Sequence, residues 1–72
     1  MKELRNKSDH GEWFTSVDKA NAYFHFYEPM DRLENEFNKE LETCDTLEEI
    51  ARLLNKYTDT LGDGTEYEVI EY

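Results

Sequence analysis

Cysteine, proline, glycine and basic residues are all scarce in these 72 residues. Each scarcity removes a class of protein. The one cysteine, Cys44, cannot form an internal disulfide, so the fold has to hold without a covalent staple. With His10 and His25 it makes at most three soft or borderline zinc ligands, where a structural site takes four. The three glycines form no phosphate-cradling loop. No apolar run approaches the roughly 20 residues of a membrane span, and the opening MKELRNKSDHG lacks the apolar stretch of a secretion signal. These absences lead us to expect a soluble cytoplasmic protein that needs no cofactor and no metal.

Eighteen acidic residues face only eight basic ones, giving a formal net charge of −10. The imbalance is one-sided. Residues 1–27 carry four acids and four bases, whereas residues 28–72 carry fourteen acids and four bases, and therefore all of the excess. A field of this sign repels nucleic acid and anionic membranes and attracts basic proteins and cations. Five tyrosines, four phenylalanines and one tryptophan supply much of the apolar area. That matters in one domain of 72 residues, because a chain this short buries only about 60% of its unfolded surface.

The single proline, Pro29, divides the chain where the charge changes. Before it, EWFTSV (12–17) and AYFHFYE (22–28) are rich in aromatic and β-branched residues and read as two strands joined by a turn through Asp18–Asn21. A competing helix starts at Ser16 and places Val17, Ala20, Phe24 and Tyr27 at helical spacing, which would make the protein mostly helical with a C-terminal strand. After Pro29 the period is helical throughout. Met30, Leu33, Phe37, Leu41 and Cys44 form one face. Asp45 or Thr46 caps a second helix, with Asp45 and Glu48 at capping-box spacing and Leu47, Ile50, Leu54 and Tyr57 as its stripe. Gly62 and Gly64 end it, and TEYEVIEY alternates as a strand, with Tyr67 and Val69 on one face and Glu66 and Glu68 on the other. The expected fold is α+β in the order ββααβ, two helices on a three-stranded sheet.

Motifs for chemistry fail on inspection. From Asp59 the chain begins like a calcium-binding EF loop, with Asp63 and Gly64 at positions 5 and 6. Position 3 is Leu61 and position 12 is Ile70, so two ligand positions are lost and Glu71 stands one place late. The stretch reads as a glycine turn into a strand. Cys44 falls on an apolar helix face and His25 within an aromatic segment, so both read as packing residues rather than a nucleophile and its base. No enzyme activity is expected.

The acids are more informative. On the second helix, Glu48 precedes Arg52 by four and Glu49 lies near Arg52 and Lys56, a self-neutralising face. On the first, Asp31, Glu34 and Glu42 fall along one flank of the apolar stripe and Glu36 and Glu40 on the other, while Arg32 and Lys39 sit at the back, within reach of Glu36 but hardly of Asp31 or Glu42. Glu66 and Glu68 have no base nearby in sequence. Carboxylates about 6 Å apart along a helix, or about 7 Å apart along a strand, approximate the spacing of alternate phosphates on a nucleic-acid strand. In length and acidity the chain resembles small phage-encoded inhibitors of nucleic-acid-binding proteins, namely anti-CRISPR proteins, antirestriction proteins and glycosylase inhibitors. The stretch DTLEEIARLLNKYTDTLGDGTEYEVIEY also looks like the helix-then-strand ending of many small phage regulators. The resemblance implies a DNA-mimicking partner-binder that contacts no nucleic acid and no membrane itself. Its partner would be a basic nuclease, polymerase or glycosylase. The charge pattern, and not the resemblance, places the contacts at Asp31, Glu34, Glu42, Glu66 and Glu68, with Tyr23 and Tyr27 as aromatic anchors. An antitoxin-like partner, or a homodimer that buries the aromatic segment, is the alternative.

Overall fold

The computed structural model describes residues 1–7, 13–26, 34–62 and 65–71. Among them lie six elements: β1 (Lys2–Asn6), β2 (Trp13–Phe14), α1 (Val17–Phe26), α2 (Glu34–Leu41), α3 (Leu47–Leu61) and β3 (Tyr67–Glu71). The class is α+β with a three-stranded sheet, as expected. The order is ββαααβ, and two elements differ from the sequence reading.

Residues 22–26 are not a strand but the second half of α1. Ser16 starts a helix there: its Oγ accepts from the Lys19 N–H at 3.3 Å and its carbonyl accepts from the Ala20 N–H at 3.2 Å. Ala20 and Phe24, one turn apart, are both fully buried. The competing helical spacing therefore wins, and the aromatic content that suggested a strand serves helix packing instead. Tyr27, the last residue of that spacing, lies outside the described residues, as do Pro29, Met30 and Leu33 of the next helical stripe.

The strand that replaces it is β1, KELRN, which the sequence concealed because only one of its five residues is apolar. β1 is the central strand, in the order β2-β1-β3 with both neighbours antiparallel. Leu4 pairs with Phe14 on one side and Val69 on the other. Leu4 is fully buried, and Phe14 and Val69 pack against the same core.

α3 covers that face. Leu47, Ile50, Leu54 and Tyr57 are buried as their stripe requires, joined by Ala51, Leu53 and Thr58. Thr46 caps the helix: its Oγ1 accepts from the Glu49 N–H at 3.1 Å and donates to the Glu49 carboxylate at 3.1 Å. The capping pair is thus Thr46 with Glu49, one place later than Asp45 with Glu48. Gly62 ends α3 with φ 73°, and its N–H donates back to the carbonyls of Asp59 and Thr58. α2 contributes Phe37 and Leu41, both fully buried, and the Phe37 ring meets Tyr57 edge-on at 5.4 Å.

Two substitutions rank these contributions. Leu54→Ala opens a cavity beneath the sheet and should cost about 2–5 kcal/mol, whereas Thr46→Ala removes only a cap and should cost about 1 kcal/mol. Urea unfolding of both variants measures the order. Equal losses would mean that Leu54 is not at the centre of the core.

Candidate acidic interface

Four ion pairs join the described residues; two start on β1 and a third at Lys7, just past its end. Lys2 pairs with Glu48 of α3, Arg5 Nε with Glu68 at 2.9 Å, and Lys7 Nζ with Glu66 at 3.3 Å. The fourth joins Lys56 Nζ to Glu40 at 3.3 Å. Register explains the β1 set. Arg5 lies directly opposite Glu68, and the Lys7 N–H donates to the Glu66 carbonyl at 2.9 Å, so the two bases and two acids share one face of the sheet. Arg5 also sits 5.4 Å from the centre of the Trp13 ring, which is 47% exposed. Trp13, Arg5 and Glu68 thus form a row across three strands.

Glu66 and Glu68 are therefore not an uncompensated acidic face. Their bases lie 59 and 63 positions away in sequence, on a strand the pattern did not reveal. Glu48 meets Lys2 rather than Arg52, and Arg52 forms no ion pair among the described residues. The hydrogen bond and charge of Lys2 hold the Glu48 carboxyl below its ordinary range, and Glu48 raises Lys2 in return.

Glu40 has a second partner. The buried Tyr57 hydroxyl donates to its carboxylate at 2.5 Å, pinning α2 to α3. That hydrogen bond, with Lys56 beside it, lowers the Glu40 pKa. The same bond, then burial, then the charges of Glu40 and Glu36, push Tyr57 up to about 12.

Of the acids that take part in no ion pair among the described residues, Asp18, Glu49, Asp59 and Glu71 are scattered over α1, α3 and β3, whereas four lie together on and just after α2. Glu34, Glu36, Glu42 and Asp45 are exposed and take part in no ion pair among the described residues. Glu34 and Glu42 lie two turns apart on one flank, about 12 Å along the axis, while Glu36 lies on the flank of Glu40. Of the other expected contact residues, Asp31 and Tyr27 lie outside the described residues. Tyr23 is half-buried on α1, its ring 5.1 Å from Phe14 and 5.2 Å from Phe24, so it is committed largely to packing.

The half-buried Cys44 Sγ donates to the Glu40 carbonyl at 3.5 Å, and burial followed by the charges of Glu49, Asp45 and Glu40 pushes its thiol up, the wrong direction for a nucleophile. His25 is half-buried in the last turn of α1, and His10 lies outside the described residues. A cleft of about 430 Å³ between α3 and the approach to β3 is lined by Arg52, Lys56, Asp59 and Glu66, two bases against two acids. Asp59 is in the last turn of α3 and residues 67–71 are strand, where an EF-hand needs its second helix. Among the described residues no three His, Cys, Asp or Glu side chains converge to hold a metal ion, and no helix is long and apolar enough to cross a membrane. No family model, curated protein or solved structure matches this chain.

The Tyr57 shift sets an alkaline expectation. From pH 10 upwards the unfolded chain loses the tyrosine proton while the folded chain keeps it, so stability is full below about pH 10 and falls as pH rises towards 12. Lys2, also raised, acts in the same direction. Denaturant midpoints taken from pH 9 to 11.5 should fall more steeply for the natural chain than for Tyr57→Phe, which retains Lys2. Parallel curves would show that the Tyr57–Glu40 bond contributes nothing.

Proposed function

We propose that this chain is a non-enzymatic inhibitor or regulator that binds a basic, nucleic-acid-handling protein through the acidic surface of α2 and the turn that follows it. The observation that carries the reading is the segregation of charge. Among the described residues, four of the seven lysines and arginines are tied to acids, at Glu66, Glu68, Glu48 and Glu40. Glu34, Glu36, Glu42 and Asp45 are left exposed without such partners. Like charges on neighbouring turns oppose folding, and a small domain that keeps them gains a steering field in return. Glu34 and Glu42 carry over from the sequence reading as contact residues. Glu66 and Glu68, already paired, contribute less to the field.

A pull-down from host lysate, repeated after nuclease treatment and in high salt, identifies the partner class. The expected partner is a nucleic-acid-binding protein retained after nuclease and released by salt, since charges at an interface are screened over about 8 Å at physiological ionic strength. Glu34→Gln and Glu42→Gln should each slow association several-fold, and Glu66→Gln should do so less, because steering follows the unpaired field. The partner's nucleic acid should compete with the chain for one site. A stable ternary complex with nucleic acid fully bound would defeat the proposal.

A further inference from the structure

The β1–β3 ladder fixes which main-chain groups of β3 are in use. The Lys7 N–H bonds the Glu66 carbonyl, one pair beyond Asn6↔Tyr67 in the same register. Hydrogen-bonded and non-hydrogen-bonded pairs alternate in an antiparallel ladder. Glu66, Glu68 and Ile70 therefore direct their N–H and C=O groups at β1, and Tyr67, Val69 and Glu71 direct theirs away from it. Among the described residues no strand lies on that side, since β3 is the last in the order β2-β1-β3. The first outward position is closed by a side chain. Asn55 of α3 accepts from the Tyr67 N–H at 2.7 Å and donates to the Tyr67 carbonyl at 3.0 Å, the two bonds a neighbouring strand would make. Among the described residues no side chain makes such bonds to Val69 or Glu71.

We infer that the outer edge of β3 from Val69 to Glu71 is a docking edge for an extended basic segment of a partner protein, which adds to the sheet as a fourth strand. An exposed edge is a ready template for strand addition, and the surroundings select the occupant. Glu71 on this strand is exposed and takes part in no ion pair among the described residues, and the chain carries −10, so a lysine- or arginine-bearing strand is favoured by charge. A second copy of the chain is disfavoured twice. It brings a charge of −10 against another of −10. A two-fold pairing centred on Val69 would also match Tyr67 of each copy with Glu71 of the other, and the Tyr67 groups are held by Asn55. The inference rests on the proposed function only for the sign of the partner's charge.

The probe is a fluorescent acetyl-Lys-Val-Lys-Val-Lys amide, with a version N-methylated at every residue that has the same charge but no main-chain donors. In low salt the parent peptide should bind at least tenfold more tightly than the methylated one. Val69→Pro should weaken the parent peptide similarly while leaving the β1 ladder intact, because the lost N–H is one that points outward. In the free protein the amides of Val69 and Glu71 should exchange faster than those of Glu68 and Ile70, and the probe should slow them. Equal binding of the two peptides refutes the docking edge even if Val69→Pro fails to fold. If that shared binding is lost in Glu34→Gln and Glu42→Gln, the acidic-surface reading survives alone. Absence of binding by either peptide, or a Val69 amide as protected as that of Glu68 in the free protein, also refutes the edge.

Discussion

The pairing of β1 with β3 is the constraint on which the rest of the molecule depends. It joins Asn6 to Tyr67 and Lys2 to Glu71, positions 61 and 69 apart. With β3 in place, Leu4 gains Val69 beside it and α3 gains a second strand to cover. Asn55 and Thr58 then lock α3 to the incoming strand, Asn55 through the Tyr67 main chain and Thr58 through the Thr65 carbonyl at 2.9 Å. These bonds satisfy polar groups at the border of the core, where an unmade bond would be expensive.

The charge pattern follows from the same pairing. Three bases near residue 1 are delivered to acids in the distant half: Glu48, Glu66 and Glu68. An imbalance that looks like a neutral half and an acidic half in sequence becomes, among the described residues, a sheet face whose Glu66 and Glu68 are paired beside an α2 flank whose Glu34 and Glu42 are not.

What was legible in the sequence were the features set by local periodicity. The stripe of α3, its capping region, the Gly62 stop and the alternation of β3 follow from spacing alone, and so does the α+β class. The 16–28 segment carried both a strand composition and a helical spacing. Composition lost because Ser16 supplies a cap, and because Ala20 and Phe24 then face one core. β1 was illegible because its strand identity comes from its two neighbours, which no window along the chain contains. That gap also hid the bases opposite Glu66 and Glu68. The Glu40–Tyr57 bond, the Asn55 clamp and the Trp13–Arg5 contact depend likewise on how elements meet in space. For the candidate interface, the exposed positions Glu34 and Glu42 were readable from the helical wheel of α2, whereas the compensation of the strand acids was not.

A sheet whose central strand is made first and whose outer strand is made last imposes an order on synthesis. α1, α2 and α3 can form as the ribosome releases them, but β1 has only the two-residue β2 to pair with until residues 67–71 emerge. During that interval the apolar side of β1, Leu4 above all, has half its cover, and the nascent chain is most open to misassociation. Ladder closure must then bring together segments more than sixty residues apart, a slow step by its loop entropy.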